Sequence, residues 1–426
     1  MQAAWSVRRK LAFQAVPRIC TIPGPATVCD KLRLDLPRLL LEGTGMRLRG
    51  VLLLCPLLIT ACSVGPDYRP RTAAELGVPE QWHSATGTAT EDLSRWWDKF
   101  DDPILSGLIE KAAADNLDIA QAAARLRQAR EALIQAQAGQ VPSIGASAGV
   151  RESYDFTGNT GVDRSVTTWS ADMDASWNAD LFGGLRRSTE VSKADLQAAG
   201  YSLANVRIAM AAEVALNYIA ARSAQASLVI ARDTLATQDD NLQIAIWRRQ
   251  AGLVSSLDVE QARTQRAQTA ASIPTLETAY ANAANRLSVL IGEAPGRIGQ
   301  ELAGGAQIPK GPDSIAAGIP ADTLRQRPDV RVAERTLAAA TARIGVAEAQ
   351  LYPSLSIGGS IGASALSLGS LADAITGSLF GTLSQLIFDG GAARSATRAQ
   401  EAAADEAFAS YRLTVLEALE DVLKTV

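Results

Sequence analysis

An internal repeat constrains the fold of this 426-residue chain more than any other feature of its sequence. Three short motifs of the first half recur in the second half, displaced by 206 to 211 residues. They pair residues 116–119 with 327–330, 141–144 with 352–355, and 181–184 with 387–391. Each copy predicts a helix, two strands, a Gly-Gly turn and a long helix, because glycine adopts the positive φ of a tight turn at little cost.

The predicted strands divide into an apolar and a polar face. Between Thr167 and Leu181, apolar and polar residues alternate with the two-residue period of a β-strand. The apolar positions are Trp169, Ala171, Met173, Ala175, Trp177, Ala179 and Leu181, and the polar ones are Ser170, Asp172, Asp174, Ser176, Asn178 and Asp180. A soluble β-sandwich would show the same alternation, so this pattern alone leaves a sandwich and a membrane barrel open.

Two features favour a transmembrane β-barrel. The strands are longer than the roughly 5–6 residues that are usual in globular proteins. Trp169 and Trp177 lie on the apolar face about 27 Å apart, which suits the two aromatic girdles of a membrane barrel. We therefore predict that both tryptophans face lipid. The charged residues predicted to face the lumen are Arg151, Asp172, Asp174 and Asp180.

The repeat supplies four strands per chain, at about 143–182 and 354–388. Four strands cannot close a barrel, since the smallest membrane barrels have about eight, and an open edge in lipid would leave backbone groups unpaired. The barrel must therefore be shared between protomers, and the residues alone allow two, three or more copies. The predicted fold class is mixed: barrel strands plus long coiled-coil-like helical hairpins in two internal repeats, closed into a barrel and tunnel only in the oligomer.

The region from about 186 to 291 predicts a long helical hairpin. Its first helix, 184–250, contains no proline, and apolar and small residues recur at the three- and four-residue spacings of a coiled coil. If about 62 residues of this run are helical, they span roughly 93 Å at ~1.5 Å each, far more than a bilayer. Beneath a membrane barrel, such helices predict a duct across the periplasm. A rigid stalk is the alternative, and the polar strand face argues against it.

Residues 46–61 have the features of a bacterial lipoprotein signal peptide. Arg47 and Arg49 precede an apolar run too short to span a bilayer, and the run ends in small residues before Cys62. This arrangement resembles a lipobox, in which the cysteine receives N-acyl and S-diacylglycerol groups. Ser63 stands where an aspartate would indicate inner-membrane retention, so we expect a lipid-anchored protein of the outer membrane that extends into the periplasm.

Composition argues against nucleic-acid binding and against catalysis. Residues 1–61 contain nine Lys/Arg and three Asp/Glu, which leaves 32 basic and 42 acidic residues, a net charge of −10, in the mature chain. Nucleic-acid binding needs a basic face. His83 is the only histidine and Cys62 the only mature cysteine, so the ingredients of a His/Cys metal site or a His-activated nucleophile are missing. The sequence predicts no enzyme, no metal and no cofactor.

These features divide the chain into six regions. We expect these to be 1–45, a mis-assigned upstream start; 46–61, the signal peptide; 62–102, an N-terminal extended segment; 103–291, repeat 1; 292–320, a linker; and 321–426, repeat 2. Repeat 2 is expected to be C-terminally truncated, because the sequence reaches Val426 within the long helix that follows Gly391. The repeat offset places a second hairpin tip beyond that point.

Residues 46–426 resemble the TolC-like outer-membrane efflux factors, in particular the lipoprotein branch of the OprM and NodT type that serves resistance-nodulation-division (RND) pumps. The motifs that carry the resemblance are 62–68, Trp96-Trp97 with Phe100 and Asp102-Pro103, Ile273-Pro274 with Leu276-Glu277, Asn285-Arg286-Leu287, Leu290-Ile291-Gly292, and 327–331 with Ala333-Glu334. The resemblance implies a homotrimer with a twelve-stranded barrel above a helical tunnel. It also implies an exit channel that passively conducts small molecules such as drugs across the periplasm and outer membrane.

The resemblance further implies that the hairpin tip docks a periplasmic adaptor (membrane fusion) protein, which joins the channel to an inner-membrane RND transporter. The matching tip residues are Gly252, Leu253, Val254 and Ser255, where Gly252 permits the turn and the two apolar residues would be exposed. A hairpin turn without a partner is the alternative for this segment. For the whole protein, the alternatives are a type I protein-secretion duct and a non-transporting periplasmic scaffold lipoprotein.

Overall fold

The computed structural model describes residues 63–78, 95–155, 164–302, 304, 307–311 and 324–425. The α-helices are α1 (Pro103–Asp115), α2 (Leu117–Ala138), α3 (Gly184–Gln250), α4 (Ser256–Leu290), the short α5 (Gly299–Leu302), α6 (Pro328–Ala349) and α7 (Ala392–Thr425). The strands are β1 (Ser143–Asp155), β2 (Arg164–Ala179), β3 (Ser354–Ala365) and β4 (Ile375–Ser384). The order helix, two strands, helix thus occurs twice, as α2-β1-β2-α3 and α6-β3-β4-α7.

The four strands form one antiparallel sheet in the order β1-β2-β3-β4. The prediction of four strands is therefore confirmed for the part of the chain that the structure describes. β1 pairs with β2 and β3 with β4 as sequence neighbours, whereas β2 pairs with β3 although the whole α3–α6 region separates them. Within the described sheet, β1 and β4 each have one neighbouring strand, so one edge of each is open.

The strand register keeps apolar residues beside apolar ones. Residues directly opposite each other in antiparallel strands carry their side chains on the same face. Met173 of β2 lies between Ala146 of β1 and Ile361 of β3, and Asp174 pairs on one side with Ser360. The alternation seen within one strand therefore extends across all four, and the sheet has one apolar and one polar face.

The last strand ends at Ser384, earlier than the boundary predicted near Phe388. Its alternation is regular when it is counted from Ile375. The apolar face receives Ile375, Gly377, Leu379, Gly381 and Leu383, and the polar face receives Thr376, Ser378, Phe380, Thr382 and Ser384. Phe380 is the exception on the polar face.

The helices α1, α2, α3 and α4 share one apolar core. Its members include Leu105, Leu108, Ile109, Ile119, Val214, Tyr218, Leu287 and Leu290. Helix α1 begins with Pro103 after Asp102, whose carboxylate accepts the N–H groups of Ile104 and Leu105. The buried Asn116 side chain caps α2 and donates to the carbonyl of Leu290 at 2.8 Å, which ties the start of α2 to the end of α4.

A second core joins the N-terminal segment to α6 and α7. Its members are Leu76, Val78, Leu324, Val330, Leu337, Tyr411, Val415, Ala418 and Leu419. The Tyr68 hydroxyl donates to the Glu334 carboxylate at 3.1 Å and strengthens this contact. The region 62–102 was predicted to be extended, but Trp96–Phe100 forms a 3-10 helix whose aromatic rings pack on the first core.

Helix α3 has 67 residues, which corresponds to about 100 Å of helix. Helix α4, with 35 residues, packs along it after the turn at 251–255. Among the described residues, no helix has both the length and the apolar character needed to cross a lipid bilayer.

Candidate functional site

Three of the four predicted charged residues, Arg151, Asp172 and Asp174, lie on the polar face of the sheet. Asp172 and Asp174 are two positions apart on β2, opposite Ser147 and Gly145 of β1. Arg151 of β1 pairs with Thr168 of β2, farther along the same face. The surrounding residues are mainly serine, threonine and glycine, so this face offers hydrogen-bonding groups to water and to polar solutes.

Asp180 lies beyond the end of the strand to which the alternation assigns it, and its carboxylate caps a helix. Strand β2 ends at Ala179, and Asp180 lies at the junction with α3, not within the strand. Its carboxylate accepts the backbone N–H groups of Leu185 and Arg186 at 3.2 and 2.9 Å, and it pairs with the Arg186 guanidinium at 3.2 Å. Asp180 therefore caps the first turn of α3, where unpaired N–H groups and the helix dipole favour a negative charge.

Asp389 performs the same capping at the corresponding junction of the second half. Its carboxylate accepts the N–H groups of Gly391 and Ala393 at 2.8 and 2.7 Å. These backbone hydrogen bonds hold the pKa of Asp389 below its ordinary value, and the bond from the Ala393 N–H has the largest effect. A carboxylate between strand and helix thus starts the long helix in both halves of the chain.

Trp169 and Trp177 both lie on the apolar face, as the alternation predicts. Trp169 is opposite Val150 of β1 and Ala365 of β3, and Trp177 is opposite Ile357 of β3. The Trp177 indole N–H donates to the carbonyl of Gln140 at 2.9 Å. Its ring therefore stays on an apolar surface while its polar atom is satisfied by the chain at the base of the sheet.

Sequence reasoning missed Phe380, the aromatic residue on the polar face. Phe380 pairs with Gly358, which in turn pairs with Ser176 on the polar side of β2. The two-residue period counted from Ile375 places Phe380 on the face opposite Leu379. Apolar residues that continue to Phe388 obscure this period in the sequence, because residues 385–388 lie outside the strand.

A buried arginine, Arg187, holds the segment that follows Cys62. Cys62 itself lies outside the described part of the chain. The Arg187 side chain is 6% exposed and points from the first turns of α3 to the N-terminal segment. It donates to the carbonyls of Val64 and Gly65 at 3.1 and 3.0 Å and to the Asp67 carboxylate at 2.7 Å. The Val64 N–H completes the contact by donating to the backbone carbonyl of Phe182 at 3.0 Å.

The Arg187 guanidinium keeps its charge in this partly buried position. Burial opposes the charge, but hydrogen bonds to Glu190 and then Asp67 outweigh it and raise the pKa of Arg187 above its ordinary value. Close packing adds to the hydrogen bonds. A Cβ at Gly183 would lie 2.6 Å from the Ser63 hydroxyl, and one at Gly345 would lie 2.9 Å from Arg187 Cγ. Residues 63–67 are therefore fitted against the sheet–helix junction.

The predicted docking residues form the turn between α3 and α4. Gly252 has φ +74°, a left-handed conformation that favours glycine, and Leu253 N–H donates to the carbonyl of Arg248 at 2.9 Å. Leu253 is 74% exposed and Val254 is half-buried. The turn therefore presents a leucine side chain to solvent at the end of a long helical pair.

Ser255 begins α4 through a reciprocal cap. Its hydroxyl accepts the N–H of Asp258, and the Asp258 carboxylate accepts the Ser255 hydroxyl and N–H at 2.7 and 2.8 Å. The hydrogen bonds from Ser255 hold the pKa of Asp258 below its ordinary value, and the bond from the Ser255 hydroxyl has a larger effect than the bond from its N–H. Ser255 thus has a defined structural role as the N-cap of α4. Across the described ranges, no cluster of His, Cys, Asp or Glu has the arrangement of a metal site.

Comparison with known proteins places this geometry in a family. The profile of the family described as outer membrane efflux protein matches residues 108–293 and 319–426. Nodulation protein T of Rhizobium leguminosarum bv. trifolii is 33% identical over 377 residues, covering 86% of this chain and 78% of that protein. The pyoverdine export outer membrane protein OpmQ of Pseudomonas putida is 31% identical over 368 residues, covering 83% and 77%. The solved outer-membrane channel OprN is similar with a TM-score of 0.75 at 34% identity, covering 84% of this chain and 81% of that one.

These matches agree with the helices and the single sheet described above. The family profile covers most of the region from α1 to α7, and the solved channel shares the fold over most of its length. The family consists of channel proteins of the outer membrane. The resemblance predicted from the sequence is therefore confirmed: the chain belongs to the outer membrane efflux protein family and is an efflux exit channel of the outer membrane.

Proposed function

We propose that three copies of this chain form a closed twelve-stranded barrel with a helical tunnel beneath it, the exit duct of an RND-type tripartite efflux system. The observation that carries this proposal is the four-stranded sheet with one apolar face, one polar face and an open edge on each of β1 and β4. Unpaired strand edges are costly in lipid, so pairing of β1 with β4 of the next copy removes them. The apolar face, with Trp169 and Trp177, then faces lipid.

In this arrangement, the polar face lines a water-filled lumen. Arg151, Asp172 and Asp174 would face solute there, whereas Asp180 serves α3. Small molecules such as drugs would pass down their gradient after an inner-membrane RND transporter has delivered them. The duct does no chemistry and needs no metal or cofactor, because the energised transporter supplies the work.

Planar-bilayer recording of the purified full-length protein tests the duct. We expect stable ion conductance from a species that native mass spectrometry identifies as a trimer. A folded oligomer that conducts no ions would contradict the proposal. A trimer that conducts ions but supports export of a polypeptide in place of small molecules in cells would favour a type I secretion duct.

We expect Cys62→Ser to keep part of its membrane insertion and transport. The reason is that the lipid on Cys62 is an accessory anchor, since twelve strands with an apolar outer face hold the trimer in the membrane. Alkaline extraction of membranes, followed by a drug-efflux assay, measures both properties. Release of the variant as a freely soluble protein without detergent would favour the periplasmic scaffold over the duct.

We expect Leu253→Asp to weaken binding of the periplasmic adaptor by about tenfold or more, because an exposed apolar anchor at an interface is worth about 2 kcal/mol. Affinity is measured with the purified adaptor and the detergent-solubilised channel. The matched control is Leu366→Asp. Leu366 is 71% exposed, like Leu253, but it follows the last residue of β3 and so lies far from the helix-hairpin tip. Equal loss of affinity in both variants would contradict docking at the tip.

A further inference from the structure

Strand β3 carries two glycines on the polar face, and each lies under a side chain of a neighbouring strand. A Cβ at Gly358 would lie 2.5 Å from Phe380 Cζ and 2.8 Å from Cε2. A Cβ at Gly362 would overlap the Oδ1 atom of Asp172. The Phe380 ring and the Asp172 carboxylate therefore lie across the backbone of β3, along the sheet.

This orientation differs from the usual one. Side chains of a strand stand roughly perpendicular to the sheet, so an upright phenylalanine would project its ring away from the wall. Phe380 can lie flat because Gly358 leaves the adjacent site on β3 empty of side-chain atoms. Its other polar-face neighbours on β4 are Ser378 and Thr382, which are small. Phe380 is thus the largest side chain on this face of β4, and its projection depends on one glycine.

We propose that Phe380 and Gly358 together set the bore of the channel at their level in the barrel, with Phe380 as the apolar contact for passing solutes. This inference rests on the proposed barrel, in which the polar face lines the lumen and each change occurs three times. The flat ring keeps the passage wide. It also presents an aromatic face within a wall of hydroxyl and carboxylate groups, which suits amphipathic solutes with aromatic or apolar parts.

Single-channel conductance of the Gly358→Val trimer tests this pair. We expect a fall of about twofold or more, because valine displaces the ring from the wall toward the lumen and pore diameter governs passage. Phe380→Ala added to Gly358→Val should restore most of the wild-type conductance, whereas Phe380→Ala alone should change it little. An unchanged conductance in a folded Gly358→Val trimer would overturn the proposal.

The matched control is Gly145→Val. Gly145 lies on the same face, opposite Asp174, and no described atom lies within 4 Å of the position of its Cβ. The variant adds the same side chain to the lumen without displacing Phe380, so its effect should be clearly smaller. An equal fall in both glycine variants would show that added bulk, and not the ring, narrows the passage, and would overturn the proposal.

Cysteine labelling tests the position of Phe380 even if Gly358→Val does not fold. The mature sequence has Cys62 as its single cysteine, so an introduced thiol is the only free one in the lipidated protein. A charged methanethiosulfonate reagent should lower the conductance of Phe380→Cys and leave Leu379→Cys unchanged, because Leu379 lies on the opposite face. The reverse result would overturn the inference, and a folded wild-type trimer without conductance would instead reject the duct itself.

Discussion

Arg222→Met is expected to destabilise the helical part of the protein by about 3–5 kcal/mol, because it removes the charged centre of a buried hydrogen-bond network. The Arg222 side chain is fully buried. Its Nη1 donates to the carbonyls of Leu302 and Gly304, each at 2.9 Å, and its Nε donates to the Tyr218 hydroxyl at 3.1 Å. Methionine would fill part of the space but would leave the Gly304 carbonyl without this donor.

The network reaches the start of α1. The Tyr218 hydroxyl donates to Asp102 Oδ2 at 2.7 Å, while Asp102 Oδ1 caps α1. Burial has the largest effect on the pKa of Tyr218 and raises it, and the hydrogen bond to Asp102 raises it further. The phenol therefore stays protonated and can donate to Asp102. Arg222 therefore links α3 to the chain after α5 and, through Tyr218, to the first helix.

Thermal unfolding followed by circular dichroism measures the effect on the detergent-solubilised protein, where we expect the melting temperature to fall by about 5 °C. Arg222→Lys should also be destabilised, since a lysine ammonium cannot reproduce the planar fork of arginine. The control is Arg232→Met on the same helix. Arg232 makes an exposed ion pair with Glu277 at 2.8 Å, which is worth at most about 1 kcal/mol. Similar melting temperatures for the Arg222→Met and Arg232→Met variants would contradict the buried-network account.

Arg187→Met is expected to release residues 63–67 from the sheet–helix junction at a cost of about 3 kcal/mol. This free energy is at the low end of what breaking a buried ion pair costs. Asp67 is largely exposed and Glu190 partly exposed, so both carboxylates regain water when the guanidinium is lost. The carbonyls of Val64 and Gly65 lose the donor that holds them.

Limited proteolysis of the folded protein measures the release, with cleavage between residues 63 and 78 expected at least tenfold faster in Arg187→Met, since 1.4 kcal/mol of opening free energy corresponds to a factor of ten. Arg343→Met is the control. Arg343 on α6 makes one exposed ion pair with Asp195 at 2.9 Å, and its loss should leave cleavage unchanged. Protection of the N-terminal segment in Arg187→Met at the wild-type level would show that packing of Leu76 and Val78 alone holds it.

The sequence predicted those features that depend on neighbours along the chain. The apolar and polar faces of β2 follow from the two-residue period, and the extent of α3 follows from an uninterrupted run without proline. The turn at Gly252 was also predictable, because a left-handed residue between two helical runs favours glycine. In each case, the deciding interaction lies within a few residues.

The predictions that changed concern residues at element ends. Asp180 continues the alternation of β2 in the sequence, but the orphan N–H groups at the start of α3 compete for its carboxylate. The last strand ends at Ser384 although apolar residues continue to Phe388. Alternation identifies a strand, but it does not identify the residue at which the strand ends and the capping of the next helix begins.

By itself, the sequence determined the two-faced strands, the long helical hairpin and the family, because periodicity and motif spacing are local properties of the chain. The tertiary structure alone decided that β2 pairs with β3, that Phe380 lies over Gly358, and that Arg187 and Arg222 reach partners about 80 to 120 residues away. The physical reason is that a buried arginine or a glycine beneath a ring is defined by what packs against it. No pattern along the chain records which distant backbone will accept its hydrogen bonds.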